Sequence, residues 1–199
     1  MIKLKLGKYK SFIAMVGFIL SIIFLSVLFA LKFEVTSAYA RDINIDLEEW
    51  ILKLEWNEPP LSTPTVGFTN SDGQPLTLSD FKGSGVVLNL WATWCAPCVQ
   101  EMPALNALQR QVKKEGIEVV AVSSDRLGVK VVGPFFRKKG LNDLRIYVDT
   151  EGVFTESMPG YGLPRTYFIN REGLVIATYN GPAEWDSTDI ISVIRELTQ

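Results

Sequence analysis

The sequence contains no histidine and only two cysteines among its 199 residues. Without histidine, the chain lacks the base of a Ser-His-Asp triad, the partner of a Cys-His pair and every imidazole ligand for a metal. A structural zinc site needs four Cys or His ligands, so one chain of this composition cannot complete it. From residue 41 onward, 15 basic and 21 acidic residues give a net charge of −6, and no stretch resembles a basic, aromatic-rich surface for nucleic acid.

The two cysteines lie close together, in the segment Cys95-Ala96-Pro97-Cys98. An apolar, β-favouring run at 86–91 precedes them, and a helical pattern follows to about Glu115. At a helix start this spacing allows a disulfide across the first turn, and the free N–H groups and the helix dipole favour a thiolate at the first cysteine. A static structural disulfide is the alternative, but it would constrain almost nothing. The segment therefore predicts reversible dithiol–disulfide exchange.

The N-terminal region predicts a membrane anchor. The first 11 residues include four lysines, and residues 12–31 form an uncharged, mainly apolar run. About 20 helical residues rise roughly 30 Å, enough to cross the hydrocarbon core of a membrane. The lysines predict a cytoplasmic basic tail at 1–11, with everything beyond Lys32 on the outer side. The alternative is a cleaved secretory signal, because Ala38-Tyr39-Ala40 has the small-x-small form of a cleavage site. Either outcome places the cysteines where disulfides persist.

The remainder divides into a connector at 32–60 and one domain at 61–199. The connector is predicted to contain a short amphipathic helix that ends before Pro59-Pro60. The apolar residues at helical spacing in this connector are Ile43, Leu47, Trp50, Ile51 and Leu54.

Strands and helices are predicted to alternate in the domain. The predicted strands are 66–69, 76–78, 86–91, 117–122, 144–148, 165–169 and 174–178. The predicted helices run from the cysteines to about 115, over 129–139 and over 186–197. Strand–helix–strand units followed by a hairpin and a final helix predict an α/β fold with a mixed central sheet and helices on both faces.

Three motifs carry a family resemblance. They are Val-Val-Leu-Asn-Leu-Trp-Ala-Thr-Trp-Cys-Ala-Pro-Cys at 86–98, Glu101-Met102-Pro103, and Gly-Leu-Pro-Arg-Thr at 162–166. In combination they resemble the thioredoxin superfamily, and more narrowly its membrane-anchored TlpA/ResA-type branch, over residues 66–199. The resemblance implies a thioredoxin fold on the periplasmic, extracytoplasmic side of the membrane. It also implies thiol–disulfide exchange with protein disulfides, usually in the reductive direction, with no bound cofactor or metal.

The resemblance assigns roles to individual residues. Cys95 matches the attacking thiol and Cys98 the buried resolving thiol. Pro164 matches a cis-proline that lies against the cysteine pair, where Leu163 would offer its main chain to an extended substrate segment; an ordinary trans-proline is the alternative. Glu101 matches an active-site acid of this branch, and a solvated helix carboxylate is the alternative.

Four further residues and one segment are singled out. The site where cytosolic thioredoxins carry a buried aspartate is Asn89, which cannot accept a proton, so acid–base help must come from elsewhere. Trp94 is expected at a substrate groove, whereas Trp91 either shapes that groove or belongs to the core. Arg165 either contacts an acidic partner or caps a strand edge. Residues 181–185 resemble the TlpA subgroup or form a simple lead-in to the last helix.

The predicted function is that of an anchored, single-pass inner-membrane enzyme. It would reduce protein disulfides during cytochrome c or cytochrome oxidase copper-site maturation, with electrons from a transmembrane donor. The Ala-Pro spacer lacks the histidine of strong oxidants, which favours a reductant. Two alternatives stay open. One is a copper(I)-binding chaperone that uses both thiolates, and the other is a disulfide oxidase or isomerase of secreted proteins.

Overall fold

The computed structural model describes Ser26 and residues 47–199. The chain divides into two compact units, residues 1–49 and residues 50–199. Apart from Ser26, the predicted basic tail at 1–11 and the predicted membrane segment at 12–31 lie outside the described residues, so both stay predictions. Within the described part of the chain, no helix combines the length and the apolar character that spanning a membrane requires.

The second unit contains an α/β fold. Its strands are β1 (Leu54–Ser62), β2 (Phe68–Asn70), β3 (Pro75–Leu76), β4 (Gly85–Trp91), β5 (Ile117–Ser123), β6 (Tyr147–Val148), β7 (Arg165–Ile169) and β8 (Leu174–Asn180). Its α-helices are α1 (Ala96–Val112), α2 (Val129–Lys139), α3 (Val153–Ser157) and α4 (Thr188–Leu197). The strands form one sheet in the order β1-β8-β7-β4-β5-β6-β2-β3. Strands β4, β5 and β6 are parallel, and every other pairing is antiparallel, so the sheet is mixed as predicted.

Strand β4 lies between β5 and β7, and all of its residues are buried. Successive side chains of a strand point to opposite faces of the sheet. Val87 and Trp91 therefore join one core, which α1, α2 and α4 cover, whereas Val86, Leu88 and Leu90 join a second core that α3 covers. Burial on both faces explains why the sequence of β4 is an almost continuous apolar run. This strand ends just before the cysteines.

Strand β1 differs from the prediction. The helical residues end at Leu52, and Leu54 begins a strand instead of closing a helix. The strand runs through Pro59 and Pro60 and pairs with β8 at the edge of the sheet, with a register shift across the prolines. Proline is tolerated there because its missing N–H is not needed at an edge or an irregularity. Without β1, main-chain groups on the outer edge of β8 would have no hydrogen-bond partner. Pairing with β8 therefore determines the conformation from Leu54 onward, although the local spacing of apolar residues is helical.

Candidate active site

The two cysteines form a disulfide at the N-terminus of α1, with an S–S distance of 2.03 Å. Cys95 is the N-cap residue of this helix, in an extended conformation, and its sulfur accepts a hydrogen bond from the N–H of Cys98 at 3.3 Å. Pro97 occupies the first turn, where a missing N–H removes no helical hydrogen bond. The end of the buried strand β4 and the start of α1 thus position the disulfide.

The two sulfur-bearing residues differ in exposure. Cys95 is 7% exposed and Cys98 is fully buried, so Cys95 is the more accessible of the pair. The neighbouring Trp94 is 70% exposed, and its contact with a substrate stays a prediction. Trp91, in contrast, is fully buried and packs against Phe135 and Phe136 with ring centroids 5.3 and 6.0 Å away. Of the two alternatives for Trp91, the structure supports the core.

The Leu163–Pro164 peptide bond is cis, as predicted. Pro164 precedes β7, and its carbonyl accepts a hydrogen bond from the N–H of Gly181 at 3.0 Å. Leu163 is partly buried and packs against both cores. The proline loop is therefore tied to the segment that leads into α4.

Arg165 requires a correction to the expectation of a partner contact. Its side chain is buried, and its Nη1 donates to the carbonyl of Pro159 at 2.9 Å. The hydroxyl of Tyr167 donates to the same carbonyl at 2.6 Å, and the guanidinium lies 5.9 Å from the Tyr167 ring. Because Arg165 is buried, its charge is not available to a partner in solvent. Its hydrogen bond to Pro159 holds the loop before Pro164. Strand β7 lies inside the sheet, between β8 and β4, so the alternative of a capped strand edge does not describe Arg165 either.

Glu101 lies on α1, one helical turn beyond Cys98, and is 4% exposed. Its Oε1 accepts a hydrogen bond from Nδ2 of Asn89 at 3.0 Å. Its Oε2 accepts two, from Nε1 of Trp185 at 2.6 Å and from the main-chain N–H of Ala183 at 3.2 Å. The alternative of a solvated carboxylate is therefore wrong.

This environment places the titration of Glu101 close to neutrality. Burial raises the pKa of the carboxyl from 4.5 to about 7, and the hydrogen bonds from Trp185, Asn89 and Ala183 limit the rise. Desolvation penalises the ionised form, whereas donors to the carboxylate favour it. Near neutral pH the group populates both forms, so it can accept or release a proton one turn from Cys98.

Three residues of this network were not predicted from the sequence to belong to the site. Thr166 accepts the second hydrogen bond of the Asn89 amide, at 3.0 Å. Ala183 and Trp185 belong to the stretch at 181–185, for which the sequence suggested only a subgroup resemblance or a helix lead-in. Trp185 is 84 positions from its partner Glu101, so no local spacing relates the two. The available signals were the 162–166 motif, which includes Thr166, and the resemblance of the 181–185 stretch.

A mixed sheet, a disulfide at the start of the helix after the central strand and a cis-proline beside β7 define a thioredoxin-fold protein with a redox-active cysteine pair. Residues 60–194 match the family model described as Redoxin, and the chain belongs to that family. The protein is a thiol–disulfide oxidoreductase of the ResA/TlpA type, as the comparisons with known proteins support.

Two relatives and one solved structure show the similarity. Thiol-disulfide oxidoreductase ResA of Bacillus thuringiensis subsp. konkukian is 33% identical over 132 residues, which are 66% of this chain and 75% of that protein. ResA of Bacillus subtilis strain 168 is 34% identical over 118 residues, 59% of this chain and 65% of that protein. A structure described as a thiol:disulfide interchange protein DsbE from Chlorobium tepidum matches with a TM-score of 0.62 at 28% identity, over 69% of this chain and 96% of that one.

Proposed function

We propose that this oxidoreductase is a membrane-anchored reductant of protein disulfides on the extracytoplasmic side. The observation that carries the mechanism is the buried carboxyl of Glu101, with a pKa of about 7, one helical turn from the buried Cys98. A buried resolving thiol must lose its proton before it can attack a disulfide. Glu101 is the group on α1 that can take it.

The exchange proceeds in two steps. The Cys95 thiolate attacks one sulfur of a client disulfide, forms a mixed disulfide and expels the other client sulfur as a thiolate. Cys98 then gives its proton to Glu101 and attacks the Cys95 sulfur, which closes the Cys95–Cys98 disulfide and expels the second client sulfur. Two electrons pass from the enzyme dithiol to the client. The dithiol is restored by the reverse exchange with the reduced dithiol of a transmembrane electron donor.

The client would dock beside the exposed Trp94 and along the loop of Leu163 and Pro164. Trp94 offers a large apolar face next to Cys95, which is the more accessible sulfur. The cis-proline loop is held by Arg165 and by Gly181, so its main chain can pair with an extended segment at little ordering cost. These two elements belong to the proposed protein-substrate site.

The proposed setting is the inner membrane, with a single N-terminal span at 12–31 and the catalytic domain in the periplasm. Its support is the apolar run that follows four lysines and the similarity to the ResA/TlpA-type branch. Within that branch, the clients we propose are the haem-attachment cysteines of apocytochrome c or the cysteines of a cytochrome oxidase copper site. Electrons would come from a transmembrane donor.

The first test replaces Glu101 by glutamine, which keeps the size of the side chain and removes its titration. General acid–base catalysis contributes about 100-fold or more, so resolution of the mixed disulfide at neutral pH should slow by about that factor. Glu172→Gln is the matched control, because Glu172 is exposed in the turn between β7 and β8. Equal resolution rates in the Glu101 variant and the control would contradict the role of Glu101.

The second test identifies the client and the direction of exchange. A Cys98→Ser variant of the full chain should accumulate a mixed disulfide through Cys95, whereas Cys95→Ser should trap nothing. Recovery of apocytochrome c or a copper-site protein, with the wild-type cysteines reduced in cells, is the expected result. Cysteines that are found oxidised in cells would indicate an oxidase instead. Tight stoichiometric copper(I) binding without disulfide reduction would indicate the chaperone alternative.

A further inference from the structure

We propose that Trp185 is the positioning residue of the Glu101 carboxylate, and that its indole N–H holds the ionised form in place for proton exchange. This inference rests on the proposed role of Glu101 as the proton acceptor. The contact joins the segment before α4 to the active-site helix, and at 2.6 Å it is the shortest of the three hydrogen bonds to this carboxylate. Short hydrogen bonds to an ionised acceptor are stronger than those between neutral groups.

The three hydrogen-bond donors to the carboxylate come from two parts of the fold. Asn89 on β4 holds Oε1, and the segment before α4 holds Oε2 through Trp185 and Ala183. Without the indole N–H, Oε2 would retain only the main-chain donor of Ala183 at 3.2 Å. The ionised form would then lose its best donor, and the protonated form would gain by comparison.

The charged groups near the network do not replace this contact. On the segment before α4, Glu184 and Asp186 are exposed. On β7, Arg165 directs its guanidinium to the preceding loop. On α1, the neighbouring Cys98 is in the disulfide in this structure; in the mixed disulfide it is the thiol that gives its proton to Glu101, and it is present in every variant compared. Burial raises the pKa of Glu101 and three neutral donors lower it. Removal of one donor should therefore raise this pKa.

The orientation of the indole is determined by aromatic packing. Trp185 is fully buried, with its ring edge-on to Trp50 at 6.3 Å and to Tyr179 at 5.5 Å, and tilted against Phe168 at 6.2 Å. Burial alone does not give a tryptophan a polar partner in this protein. The indole nitrogens of Trp50 and Trp91 are also buried and have no hydrogen-bond partner among the described residues. The Trp185 contact is therefore a specific feature of the site.

The test replaces Trp185 by phenylalanine, with Trp50→Phe as the matched control. Both changes remove an indole from the same aromatic cluster, but only the first removes a donor to Glu101. The rate of mixed-disulfide resolution is measured against pH with the full-length protein and a model disulfide peptide. A hydrogen bond to a charged group contributes enough to move the midpoint of Trp185→Phe upward by about one pH unit or more. The Trp50→Phe midpoint should stay at the wild-type value.

Two further variants keep the test decisive if the Trp185→Phe protein does not fold. Site-specific incorporation of 3-benzothienylalanine at Trp185 keeps the ring shape and replaces the N–H by sulfur, and it should give the same upward shift. The same analogue at Trp50 should give none. Equal shifts at the two positions, or no shift at Trp185, would overturn the inference.

The Glu101→Gln background separates this inference from the proposed function. If Glu101 is the proton acceptor, adding Trp185→Phe to Glu101→Gln should cause no further change in the pH profile. A Glu101→Gln enzyme with a wild-type profile would overturn the proposed role of Glu101 as the proton acceptor, and with it the positioning role of Trp185. A slowed Glu101→Gln enzyme, combined with identical profiles for Trp185→Phe and Trp50→Phe, would leave that function standing and reject the positioning role.

Discussion

Replacement of Glu101 by glutamine should flatten the pH dependence of the free energy of unfolding between about pH 4.5 and 7. In the folded protein, burial raises the pKa of this carboxyl from 4.5 to about 7. Within that window the folded state binds more protons at this site than the unfolded state does. The contribution of Glu101 to stability is therefore fully present below the unfolded pKa and is lost as the pH rises through the folded pKa.

The size of the effect follows from the pKa change. A difference of about 2.5 pH units, at about 1.4 kcal/mol per unit, gives a loss of about 3 kcal/mol across the window. This is a large fraction of the stability of a small domain. The chain has no histidine, so no imidazole titration overlaps the effect.

Urea unfolding of the oxidised, full-length protein, followed by tryptophan fluorescence from about pH 5 to 8, measures this slope. Wild type should lose stability as the pH rises, and Glu101→Gln should change little. The NH2 group of the glutamine amide must face one of the three N–H donors, which lowers the free energy of unfolding of the variant at every pH. The comparison is therefore between the slopes of that free energy against pH. Glu172→Gln is the control and should keep the wild-type slope. A Glu101→Gln slope equal to that of wild type would refute the reasoning.

Two other outcomes are expected. After reduction, a small alkylating reagent should modify Cys95 before Cys98, because Cys95 is the N-cap and the less buried of the two. Peptide mass spectrometry measures the order of labelling. Faster labelling of Cys98 would reverse the assignment of the nucleophile. Asn89→Asp would place a second carboxyl about 3.0 Å from Glu101, so the pair would share a proton and the exchange profile should move to higher pH. A pH titration of the exchange rate measures this, and an unchanged profile would contradict the buried contact.

Features that depend on neighbouring residues could be predicted from the sequence. The apolar run of β4, followed at once by two cysteines at the start of a helix, is local, and so the strand, the helix and the disulfide could be predicted together. The cis-proline and the candidate role of Glu101 came from motifs that resemble a known family. The burial pattern of β4 agrees with its composition because a strand covered on both faces must be apolar throughout.

The contacts between distant segments could not be predicted from the sequence. The Glu101 carboxylate receives its donors from positions 12, 82 and 84 residues away, and this packing moves its pKa toward 7. The burial of Arg165 and the pairing of β1 with β8 likewise depend on long-range contacts. Local spacing does not encode these contacts, because main-chain pairing and desolvation depend on every segment that packs around a residue.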